Sequence, residues 1–151
     1  MIVYRLSKQK FARDLSGRGA ETSGGRWNSR GVPMLYTSES RALCVAEIAV
    51  HTPLGIVPED YVLVSIEIPE VEMAEVAVGS LPPDWKVFPH ARSTQTIGDR
   101  FILDGDHLVL KVPSAVVQGD YNYLVNPLHP DFPRVKVIKT EAFSFDTRLF
   151  K

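Results

Sequence analysis

Arg26, Tyr36 and Glu47 lie within one stretch, Gly24 to His51, which reads GGRWNSRGVPMLYTSESRALCVAEIAVH. Their types suit work on a charged ligand. Arginine offers a planar fork of donors to an anion, and the preceding glycines, Gly24 and Gly25, let backbone approach a bulky partner. Glu47 is the sharpest of the three. In a helix over Arg41 to His51 it shares one side with Leu43, Ala46 and Val50 by the i, i+3, i+4, i+7 rule. That helix is apolar nearly all round, which predicts a buried one. An enclosed carboxylate must take up a proton or find a cation and hydrogen-bond donors. Two readings stand at this point: a structural ion pair tying loop to helix, or a working carboxylate.

The elements that must hold these groups can be read in order. Ile2 to Leu6 is a strand with Tyr4 and Leu6 on one face and Arg5 on the other. Residues 13 to 31 carry five glycines and several hydroxyl residues, which predicts a loop. Pro33 to Thr37 returns to a strand pattern, and Thr37, Ser38 or Ser40 can cap the helix that follows. Pro53 stops it.

Tyr61 to Ile68 alternates, with Val62, Val64, Ile66 and Ile68 toward a core and Leu63, Ser65 and Glu67 away from it. Met73 to Val78 could add a strand, and Leu81 to Trp85 is a rigid turn that delivers Trp85 for packing. Ser93 to Leu103 fits a helix in which Gly98 is a weak point. His107 to Val112 is a strand, and the corner Pro113-Ser114-Ala115 either aims the Ser114 hydroxyl into a cleft or uses it to cap the turn. Two X-Pro bonds, at Pro127 and Pro130, make Tyr121 to Pro130 a fixed loop. Arg134 to Phe145 supplies a last strand pair or one bent strand. These elements describe an α+β chain, expected to form one domain over residues 1–151.

Composition sets broad limits. The 151 residues include 17 basic and 18 acidic side chains, for a net charge of -1, and nothing global favours nucleic acid or an anionic membrane as partner. The one cysteine, Cys44, excludes an internal disulfide, and the N-terminal segment shows no apolar signal, so the expected compartment is the cytoplasm. The glycines satisfy neither a dinucleotide fingerprint nor a P-loop. The four histidines do not fall at metal-ligand spacings, so no metal is expected. Ser114 lacks the surroundings of a hydrolase nucleophile.

Five motifs then fall in order: GGRWN-x-x-G from Gly24 to Gly31, LYTS from Leu35 to Ser38, Ala46-Glu47 within a helix, VPSAVV from Val112 to Val117 and NPLHPDF from Asn126 to Phe132. Together they resemble the RES domain, a family named for its arginine, glutamate and serine. The likeness runs from Arg5 to about Arg134.

The resemblance implies a fold similar to ADP-ribosyltransferase toxins, a mixed and mainly antiparallel sheet with a few short helices. It implies the toxin of a type II toxin–antitoxin pair, bound to an Xre-family helix-turn-helix antitoxin in a hetero-oligomer. The expected activity is NAD depletion by hydrolysis or phosphorolysis, or ADP-ribose transfer to a protein, with NAD as substrate and no cofactor. Arg26, Tyr36 and Glu47 match the NAD-site triad, Ser114 matches the family serine, Arg5 is a second arginine able to share the role of Arg26, and Asn126 sits in the N-P motif. On this reading Glu47 faces the cationic sugar of the transition state, Tyr36 stacks on nicotinamide, and Ser114 orients the ribose or amide. A ribonuclease toxin and an inactive interaction module are the alternatives, the first weakened by the absence of a basic stripe.

Overall fold

The computed structural model describes residues 1–151, and its strands form one seven-stranded sheet in the order β4-β5-β6-β2-β1-β3-β7. They are β1 (Ile2–Lys8), β2 (Leu35–Ser38), β3 (Tyr61–Glu67), β4 (Ala74–Glu75), β5 (Val109–Pro113), β6 (Tyr121–Val125) and β7 (Lys136–Phe143). Every pairing is antiparallel except that of β4 with β5. Three α-helices accompany the sheet: α1 (Arg18–Ser23), α2 (Arg41–Ala49) and α3 (Arg92–Asp104). No helix is long and apolar enough to cross a membrane.

Period-2 alternation sends successive side chains to two separate cores. Val109, Val125, Leu35, Val64 and Ile66 join one cluster, while Leu110, Val112 and Leu124 join Trp27, Met34, Trp85 and Ile102 in the other. Both faces are therefore covered. Val62, Val64, Ile66 and Ile68 join the first cluster as expected, and on the opposite face Leu63 is fully buried and Ser65 is 5% exposed. Trp85 packs as expected, its ring centroid 6.5 Å from that of Trp27.

Two elements depart from the expected plan. Residues 13 to 31 are not all loop, because α1 forms between Gly17 and Gly24, both at positive φ. Gly17 has a steric reason as well, since a Cβ there would stand 2.7 Å from the Met34 backbone nitrogen. Tyr121 to Val125, expected as part of a loop, is a strand in the middle of the sheet, paired to β5 on one side and β2 on the other. Pro127 restricts the residue immediately before it and leaves the five residues upstream free to extend.

Helix α2 starts where expected. Ser40 is its cap, with Oγ accepting from the Leu43 N–H at 3.1 Å. The helix is not buried all round, however. Only Leu43 and Cys44 are buried, and Val50 at its end is 57% exposed. Small alanines give an apolar pattern without supplying enough surface to demand burial. Helix α3 runs through Gly98, where a Cβ would overlap the Trp27 carbonyl oxygen. The glycine that looked like a weak point is the contact that lets the two backbones meet.

Strands β1 and β2 are paired at one position only, Tyr4 with Ser38. Beyond it they part, and the sheet opens.

Candidate functional site

The site is built around Glu47, half-buried on α2 and held by neutral donors from the corner after β5 and from β6. Its Oε1 accepts from Ser114 Oγ at 3.0 Å and from Asn122 Nδ2 at 2.8 Å. No salt bridge reaches Glu47, so the expected structural ion pair is not formed. Oε2 makes no hydrogen bond and is not a buried orphan, which leaves it available to a ligand.

Ser114 acts through Glu47. At 2% exposure it donates to the carboxylate and accepts from the Val116 and Val117 N–H groups at 3.1 and 3.0 Å. The capping reading of its corner holds, and the same hydroxyl donates to the carboxylate. Its hydroxyl hydrogen and its acceptor capacity are both engaged inside the protein. Asn122 was not singled out from sequence. Its Oδ1 accepts from Ser38 Oγ at 2.8 Å, extending the chain of bonds to β2. The available signal was an amide inside an aromatic, β-prone run, Tyr121-Asn122-Tyr123, which only pays attention as a site residue once that run is a strand.

Arg26 lies on the turn between α1 and β2. Its Nη1 donates to the carbonyls of Trp85 and Val87 at 2.8 and 3.0 Å, so a distant loop sets its direction. Burial pulls its pKa below the ordinary arginine value, and the nearby Glu47 and Tyr36 oppose that shift. The turn itself is tied to Tyr36, whose hydroxyl accepts from the Trp27 N–H at 3.0 Å and donates to Asn28 Oδ1 at 2.6 Å. Burial, above all, raises the Tyr36 pKa, so it remains a phenol. Gly25 is required here, because a Cβ would stand 2.7 Å from the Tyr36 hydroxyl oxygen and 2.9 Å from Asn28 Oδ1. Fully buried Asn28 also donates to the Ala20 and Val32 carbonyls at 2.8 and 3.0 Å.

A cavity of about 370 Å³ occupies the gap where β1 and β2 separate. Arg5 and Ser7 line it from β1, Leu35 and Tyr36 from β2, and Asp14 and Arg18 from the segment across the opening. Arg5 donates from Nη1 to the Asp14 carbonyl at 2.9 Å and keeps its remaining donors free. Burial lowers its pKa, partly offset by Asp14. Arg5 is thus brought to the Tyr36 side of the site, apart from the carbonyls that hold Arg26.

Asn126 is not brought to the site. It is fully buried, with Nδ2 donating to the Ile102 carbonyl at 3.2 Å and Oδ1 accepting from the Leu128 N–H at 2.9 Å. Both ends of its amide lock the β6 exit to α3, which corrects the expectation that it contacts NAD. Burial also pushes the Cys44 thiol up to about 11, as suits an inert core residue.

A mainly antiparallel sheet with three α-helices, opening between β1 and β2, defines an α+β fold. The RES domain model matches residues 2–146. A Prs ADP-ribosylating toxin from Sphingobium sp. is 39% identical, with 93% of this chain and 89% of that protein aligned. The proteins called Toxin Res from Photorhabdus laumondii and Pseudomonas putida are 35% and 38% identical, covering 100% and 99% of this chain and 98% and 100% of their own lengths. Among solved structures, the M. tuberculosis MbcT-MbcA toxin-antitoxin complex contains a chain of similar fold, at a TM-score of 0.74 and 20% identity, covering 99% of this chain and 86% of that one. The chain belongs to the RES domain family. It is an enzyme of that family's toxin class, as the five ordered motifs implied.

Proposed function

We propose that this chain, acting as one RES domain, is the toxin of a type II toxin–antitoxin pair and cleaves NAD at the nicotinamide–ribose bond. The observation that carries the reading is Glu47 itself. One carboxylate oxygen is fixed by Ser114 and Asn122, the other is open, and no salt bridge reaches the group. Such a carboxylate favours a transition state in which positive charge grows on a sugar.

The bond electrons leave with nicotinamide, which departs neutral. The ribosyl carbon is captured by an oxygen of water or phosphate, whose proton passes to solvent. Glu47 binds the ribose hydroxyls or faces the developing cation, Tyr36 offers its ring to nicotinamide, and Arg26 and Arg5 engage the phosphates. NAD is the substrate, and the residues call for neither cofactor nor metal. Folded Glu47→Gln should release nicotinamide about 10² to 10³ times more slowly than wild type; an unchanged rate would overturn the assignment. Product analysis with and without phosphate separates hydrolysis from phosphorolysis.

Transfer of ADP-ribose to a protein is the second reading, favoured by the 39% identical relative named as an ADP-ribosylating toxin. Labelled NAD incubated with cell extract would reveal a modified protein. An Xre-family helix-turn-helix antitoxin is the proposed partner, in the cytoplasm, covering the site mouth where exposed Val87 and Phe88 lie beside the carbonyls that hold Arg26. A co-purified pair that consumes NAD at the full rate would count against that placement.

A further inference from the structure

We propose that Phe11, Asp14 and Arg18, on the rim of the cavity between β1 and β2, read the adenosine end of NAD, with Asp14 selecting the free ribose 2′-hydroxyl over a 2′-phosphate. The inference rests on the NAD reading above and adds a substrate preference to it.

Tyr36 belongs to both parts of the site: its hydroxyl holds the turn that carries Arg26, and it lines the cavity. With a nicotinamide ribose at Glu47, we place the rest of the dinucleotide in the cavity that Tyr36 lines. The volume, about 370 Å³, lies near the lower end of the about 300–1,000 Å³ usual for ligand pockets, which suits half a dinucleotide. Arg5 in the cavity keeps free donors, and Arg18 forms no ion pair. Two such cations suit a pyrophosphate.

Phe11 is 49% exposed on the same rim, a flat apolar face open to a base. Asp14 lines the cavity on the same segment as Phe11 and Arg18. Its Oδ1 accepts from the Ser16 N–H at 2.9 Å, and the other oxygen has no hydrogen-bond partner. Hydrogen bonding from Ser16 holds its pKa below the usual carboxylate range, so it is ionised at neutral pH. An ionised acid beside an adenosine ribose accepts from the 2′-hydroxyl and repels a phosphate placed there. Lys10, which sits over the Phe11 ring at 5.0 Å, does not line the cavity.

The test is nicotinamide release from NAD and from NADP by wild type, Asp14→Asn and Phe11→Ala. Because Asp14 is exposed and screened, wild type should favour NAD by about tenfold in kcat/KM. Asp14→Asn should bring that ratio close to one, through a lower KM for NADP and a higher KM for NAD. Phe11→Ala should raise KM for NAD about tenfold, at unchanged kcat, for loss of one stacking contact. Wild type that cleaves NAD and NADP equally, or a ratio unmoved by Asp14→Asn, would overturn the inference and leave NAD cleavage standing. Wild type that cleaves neither would remove the NAD reading and this inference with it.

Discussion

Asn122 donates to Glu47 Oε1 across 2.8 Å while its own Oδ1 receives the Ser38 hydroxyl at 2.8 Å, so the carboxylate's position is set from the middle of the sheet. Charge-assisted bonds of this kind contribute about 1.5–3 kcal/mol. Asn122→Ala should therefore lower kcat for nicotinamide release by about ten- to a hundredfold while the protein stays folded by circular dichroism. Full activity would mean that Ser114 alone places the carboxylate.

Asn126 should show the opposite behaviour. Asn126→Ala strips partners from the Ile102 carbonyl and the Leu128 N–H, and leaving buried groups unpaired costs about 1–3 kcal/mol each. Denaturant titration should show that loss, with kcat/KM unchanged below the transition. A raised KM for NAD in a variant of normal stability would restore Asn126 to the substrate site.

Gly98→Ala sets two effects against each other. Alanine is favoured over glycine within a helix by about 1 kcal/mol, but here its Cβ would overlap the Trp27 carbonyl oxygen. Overpacking against backbone costs about 1–3 kcal/mol or more, so sterics win and urea midpoints should fall. Because Trp27 adjoins Arg26, activity should fall as well. A stabilised variant would show that α3 and the turn do not meet closely.

His90 supplies a pH test. Burial first, then the charges of Arg26 and His51, hold its pKa below the ordinary imidazole value. The unfolded chain then binds the proton first as pH falls through about 6.5, so this residue makes stability decline toward acid. Between pH 7.5 and 5.5, melting temperature should drop less in His90→Gln than in wild type. An equal or larger drop in the variant would contradict this environment.

The candidate site was partly legible before the fold was known. Glycine-hinged Arg26, strand-end Tyr36 and helical Glu47 carry their chemistry in residue type and spacing, and the start of β1 and the start of α2 follow from local pattern and the Ser40 cap. One failure cost the site a residue. Tyr121 to Val125 contains an amide and two tyrosines, and only its two partners, β5 and β2, make it a strand. With the strand unrecognised, Asn122 could not be placed opposite Glu47.

By itself the sequence determined β1, β2, α2, β3, α3 and β5 in order, the identities of the reactive groups and the family. These depend on local periodicity, capping and motif order, which a linear chain carries. Only the tertiary structure decided that Glu47 is held by neutral donors and not by Arg26, that Asn126 is a core lock, and that β1 and β2 separate to open a cavity. Those outcomes join residues as far apart as Glu47 and Asn122, or Arg26 and Trp85. A buried donor takes whichever acceptor folding brings within about 3 Å, and no local pattern encodes that choice.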